Sequence, residues 1–147
     1  MRRMLTLTVL AVLGLGLAAS LASASGRRAK LGLRRTSAGM ILVNGRGFTL
    51  YAFTRDSRNH DACAKIKHCL AAWPAVTTTG RPVAGPGVKP GLIGTITLKS
   101  GVKQVTYAGH PLYRYIGDQS PGQTYYINFL QFSGHWPALN AAGKEVK

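Results

Sequence analysis

The sequence predicts an all-β protein: two tandem β-meander repeats packed with pseudo-twofold symmetry as a small sandwich or partly open barrel. Three observations lead there. The chain matches itself in an ordered way, its apolar runs are short and punctuated by glycine turns, and no stretch carries a helical stripe of useful length.

The self-match comes first. Gly32 aligns with Gly94, Gly39 with Gly101, Val43 with Val105 and Gly47 with Gly109. Leu50-Tyr51 aligns with Leu112-Tyr113, Phe53 with Tyr115 and Asp56 with Asp118. After one extra residue in the second copy, Trp73-Pro74-Ala75-Val76 aligns with Trp136-Pro137-Ala138-Leu139, and Val83 with Val146. The copies are read as residues 31–84 and 93–146, joined by a Pro/Gly connector over 85–92.

Strand signals repeat within each copy. Gly94 to Lys99, Val102 to Tyr107 and Pro111 to Ile116 have strand composition, with turns at Ser100-Gly101 and Ala108-Gly109. Met40 to Asn44 and Phe48 to Thr54 repeat the pattern around Gly45-Arg46-Gly47. Ala62 to Ala72 has room for a helical turn or two. A few strands per copy cannot bury an apolar face alone, so the copies are expected to share one core.

The N-terminus reads as an export signal over 1–24. Arg2 and Arg3 precede an uncharged run from Met4 to Leu21, and Ala22-Ser23-Ala24 supplies small residues for cleavage. Residues 25–147 then form a single domain. Removing Arg2 and Arg3 leaves 17 of the 19 basic residues against 4 acidic ones, a formal charge of +13. Such a charge favours anionic partners. In an exported protein these are anionic cell-wall polymer or a membrane surface, and nucleic acid is not expected. Arg27, Arg28, Lys30, Arg34 and Arg35 are read as a basic arm ahead of the meander, flexible in its first half, and as the polyanion-binding residues.

The most repeated chemistry is Leu-Tyr-x-aromatic-x-x-Asp. On a strand Tyr51 and Phe53 share a face, as do Tyr113 and Tyr115. Asp56 and Asp118 fall just past the strand ends, where a carboxylate accepts N–H groups of the following loop, Ser57 to Asn59 in the first copy. Together with Trp73 and Trp136 these residues read as structural. The alternative is a carbohydrate-active enzyme using Asp56 and Asp118 as a carboxylate pair. Duplication argues against it, since acid/base work wants two different pKa values.

Cys63 and Cys69, an even count in an exported chain, suggest a disulfide. The alternative is a metal- or redox-linked envelope protein, with ligands from His60, Asp61, Cys63, His68 and Cys69. His110 and His135 read as surface or edge residues. No nucleophile elbow, Walker motif or dinucleotide fingerprint occurs, and no cofactor is expected.

The Tyr-x-aromatic-x-x-Asp repeats, the Cys63…Cys69…Trp73-Pro74 run and the stretch Gln104 to Tyr113 resemble the secreted-repeat family of predicted bacterial lipoproteins. The resemblance covers nearly the whole mature chain. It implies an extracytoplasmic location and the duplication, and no reaction. This chain departs from the pattern in two ways. It has no Cys for lipidation near the cleavage site, and Tyr125-Tyr126-Ile127-Asn128-Phe129-Leu130 replaces a glycine-rich stretch. The expectation is an exported, non-enzymatic β-module associating with anionic envelope material.

Overall fold

A computed structural model describes residues 27–147. The export signal read over 1–24 lies outside the described residues. The chain is all-β, arranged as several small sheets without a closed barrel.

Each copy opens with an antiparallel hairpin. In the first, β1 (Lys30–Thr36) pairs with β2 (Gly39–Asn44). Ser37 and Ala38 make the turn, and Gly39 leaves it at φ +99°, a backbone conformation that favours glycine. The first copy continues through a short helix α1 (Cys69–Ala72), β3 (Thr77–Thr78) and β4 (Val83–Ala84). The second copy's hairpin is β5 (Ile93–Thr97) with β6 (Lys103–Tyr107), extended by β7 (His110–Pro111). It ends with β8 (Phe129–Gln131), β9 (Gly134–Trp136), β10 (Ala138–Leu139) and β11 (Glu145–Val146).

Three expectations need correction. The basic segment is not an arm ahead of the meander, because from Lys30 onward it is β1. Leu31 is 1% exposed within the main core, and Leu33 packs against that core. Two apolar side chains two residues apart hold the strand down, while Arg34 and Arg35 point to solvent. Pro111 to Ile116 is strand only at Pro111, with single bridges at Tyr113, and Phe48 to Thr54 likewise forms no strand of a continuous sheet. The latter stretch joins its neighbours through single bridges, Thr49 to Val43 and Tyr51 to both Tyr113 and Ala138.

The copies are interlocked. Tyr51 and Tyr113 exchange reciprocal backbone hydrogen bonds, both 2.9 Å, so the pseudo-twofold axis passes between them. The strand after each Trp-Pro crosses to the other copy. Ala75 bridges Tyr113, and Thr77 pairs with Gln104. Ala138 bridges Tyr51, and Ala52 N–H donates to the Pro137 carbonyl at 2.9 Å. One core of Leu31, Leu42, Leu50, Val105, Tyr107, Leu112 and Leu139 draws on both copies.

Candidate functional site

The repeated motif converges on the axis. Side chains alternate along an extended segment, so Tyr51 and Phe53 point the same way, as do Tyr113 and Tyr115. Their rings meet the two tryptophans. Trp73 and Trp136 stack face to face, centroids 4.0 Å apart and planes 2° off parallel. Phe53 stacks on the outer face of Trp136 at 4.0 Å, and Tyr115 lies over Trp73 at 4.2 Å. Tyr51 and Tyr113 meet the tryptophans of their own copies edge-on, at 5.1 and 5.2 Å. Both indoles are fully buried, so each N–H needs an acceptor. Gln131 supplies both: its side-chain oxygen accepts from Trp73 at 2.7 Å and its backbone carbonyl from Trp136 at 3.2 Å.

The aspartates are exchanged between copies. Tyr113 Oη donates to Asp56 Oδ2 at 2.8 Å, and Tyr51 Oη donates to Asp118 Oδ2 at 3.1 Å. A carboxylate just past a strand end is expected to close its own loop through the next few N–H groups. Instead Asp56 Oδ1 accepts from Ala62 N–H at 2.8 Å, beyond Ser57–Asn59. The partner tyrosine hydroxyl takes the other oxygen, since a phenol buried at the axis has no water to bond. Burial pushes the Asp56 carboxyl up to about 7, outweighing the hydrogen bonds from Ala62, Tyr113 and Cys63 that favour its charged form, with the nearby Asp61 adding to the rise. Burial also raises Asp118, against the Tyr51 hydroxyl and the Arg114 guanidinium. Desolvation, reinforced by the facing carboxylate, raises both tyrosines well above the usual phenol range.

This arrangement does not set two carboxylates across an open cleft. Asp118 is 6% exposed. Asp56 lines a small recess with Ser57, Arg58, Ala108, Gly109 and His110, and Asp118 is not part of it. Each carboxylate ties one copy to the other.

Cys63 and Cys69 form a disulfide, with Cα atoms 5.3 Å apart, in the loop that holds α1. The bond takes both sulfurs from the alternative ligand set. Among the described residues no three His, Cys, Asp or Glu side chains converge as a metal site would need. His60 Nε2 lies 3.2 Å from Lys65 Nζ, and His68 is exposed at the start of α1. Asp61 is buried, with Oδ1 accepting from Ala64 N–H at 2.7 Å and Oδ2 without a partner. His135 is exposed, and His110 is half-buried in β7.

The basic residues frame a surface recess. Arg27, Arg28, Lys30 and Arg46 line a cavity of about 270 Å³, with Asn44 and Val76 in its wall. Arg28 Nε donates to the Arg81 carbonyl at 2.9 Å, which steadies that side chain. Arg34 lies elsewhere, against Gly122. No motif or repeat in the sequence singles out Arg46 or Gln131. Arg46 sits in a turn between β2 and Phe48, and only the fold brings it to Arg27.

Comparison with known families agrees with the duplication. A family model described as a secreted repeat of unknown function matches residues 32–77 and again 94–140. The chain belongs to this secreted-repeat family. No curated protein and no solved structure matches the chain. The two matched stretches begin at Gly32 and Gly94, the glycines that open the internal alignment, and both hold the Tyr-x-aromatic-x-x-Asp motif and the Trp-Pro pair. In this secreted repeat, the shared Tyr, Trp and Asp residues meet at the axis.

Proposed function

We propose that the protein is an exported, non-enzymatic β-module that associates with anionic cell-envelope material. The observation that carries this reading is the division of charge between inside and outside. Of the four acidic residues, Asp61 and Asp118 are buried and Asp56 is engaged by Tyr113 and Ala62. Glu145 makes the one ion pair among the described residues, with Lys147 at 3.4 Å. Apart from Arg114, which is half-buried over Phe48, most of the remaining basic side chains face solvent with little compensation, and several of them frame the recess at Arg27, Arg28, Lys30 and Arg46. A surface of one sign concentrates polyanions by long-range attraction, and the recess offers a place where phosphate or carboxylate groups meet several cations together.

The test uses mature protein and an immobilised lipid-free polyanion, poly(glycerol phosphate). Binding should be clear at low salt and fall steeply by about 0.15 M, where the screening length is only ~8 Å. Changing Arg27, Arg28 and Arg46 to Ser should weaken it with the urea unfolding midpoint unchanged. Binding that ignores both salt and these changes overturns the proposal.

A further inference from the structure

One region breaks the pseudo-symmetry. In the first copy the outer end of the ring stack is closed: Phe53 is 2% exposed, and a Cβ placed on Gly134 would lie 2.5 Å from its ring. In the second copy the stack runs on to the surface. Tyr115 meets Tyr126 at 4.3 Å, and Tyr126 meets Phe129 at 5.7 Å. Phe129 of this run is 40% exposed, and the chain neighbours of its rings are more so: Tyr125, beside Tyr126, 79%, Leu130, beside Phe129, 63%, and Ile116, beside Tyr115, 62%. Four of the six large apolar side chains exposed among the described residues therefore belong to this one segment. A scattered exposed Leu means nothing, but such a cluster marks an interaction surface.

Its surroundings identify the partner. Arg55 Nη1 donates to the Phe132 carbonyl at 2.9 Å, at the tip of the β8–β9 hairpin. Arg34 lies against Gly122, within the segment. The nearest acid in sequence, Asp118, is buried. An apolar cluster flanked by guanidinium groups fits a surface that is apolar within and anionic at its boundary. A second copy of this chain would set like charges together. A neutral glycan would leave the aliphatic Ile116 and Leu130 without a matching face.

We infer that the segment 116–130 docks the protein onto an anionic lipid bilayer, with Tyr125, Phe129, Leu130 and Ile116 entering the headgroup layer and Arg34 and Arg55 held at the lipid phosphates. This rests on the proposed association with anionic envelope material and names the bilayer as the contact for this face. Tyrosine suits such a boundary, since its ring is apolar and its hydroxyl stays hydrated. The supporting rings are already packed on Trp73, so little order is lost on docking.

The experiment is vesicle flotation of the mature protein with phosphatidylcholine vesicles, with and without phosphatidylglycerol. Wild type should float with the mixed vesicles and not with pure phosphatidylcholine. Part of the bound fraction should survive salt that abolishes poly(glycerol phosphate) binding. The double variant Tyr125→Ser, Leu130→Ser should bind mixed vesicles at least about ten-fold more weakly. Its unfolding midpoint and its polyanion binding should match wild type, since both side chains are exposed. Equal vesicle binding by the double variant overturns the inference, as does a wild type that sediments as a dimer and becomes a monomer in the variant. Wild type that binds poly(glycerol phosphate) but no vesicle overturns the bilayer docking alone. Failure with both probes sinks the two together.

Discussion

The tyrosine–aspartate exchange makes the motif a joint between copies, and it has a pH signature. In an unfolded chain Asp56 titrates near its ordinary value, about 4. Folding lifts it to about 7. The folded state therefore holds a proton that the unfolded state has already lost, and stability falls as pH rises across that window. Asp118 is raised as well and contributes with the same sign. The urea midpoint should thus be higher at pH 5 than at pH 8. Asp56→Asn, which keeps an acceptor but no charge, should flatten this dependence. Asp56→Ala should cost about 1–3 kcal/mol because Ala62 N–H and the Tyr113 hydroxyl lose their acceptor. An Ala variant as stable as wild type would instead point to a carboxylate kept for function. The acid's position past the strand was readable from the sequence. Its acceptor role toward the other copy's tyrosine was not, because an internal alignment reveals which residues are equivalent and never which ones touch.

Between single residues and the whole lie two elements whose roles differ from their appearance in the sequence. The disulfide loop was legible, since two cysteines in an exported chain have one pairing available. Native protein should show no free thiol on labelling. Replacing both cysteines by Ala should lower stability by about 2–3 kcal/mol or less, as the bond closes only a short loop. Any drop much beyond that would mean the loop around α1 holds the tryptophan stack in place. By contrast, β1 was hidden by its own composition. Lys30, Arg34 and Arg35 drew the reading toward a solvated arm, while Leu31 and Leu33 carried the period-two signal of a strand. Charge on one face and burial on the other coexist in an antiparallel hairpin. Leu31→Ala should therefore cost about 2–5 kcal/mol, read as a lower thermal midpoint, where an arm residue would cost nothing.

For the molecule as a whole, each copy supplies the other with strands. The fold class, the duplication and the shared core were expected from length and patterning. The crossing of the Trp-Pro strands was not, since it depends on pairing between residues far apart in the chain. A fragment ending at residue 84 should be unfolded by circular dichroism, because Tyr51 would lack Tyr113 and Ala138, and Trp73 would lack Trp136. Mixed with a fragment covering 85–147, it should regain near-ultraviolet signal from the stacked indoles. A first copy that folds alone would contradict the interlocked core.

The reciprocal bonds between Tyr51 and Tyr113 also bear on the order of events during secretion. A protein whose first half makes its own core can collapse while the second half is still being synthesised. Here the first half has no completed partner until Trp136-Pro137-Ala138 has emerged. Long-range pairing of this kind delays folding until nearly the entire polypeptide is present. The knot of rings at the centre is therefore the last part of the molecule to close, and until then its aromatic side chains stay exposed.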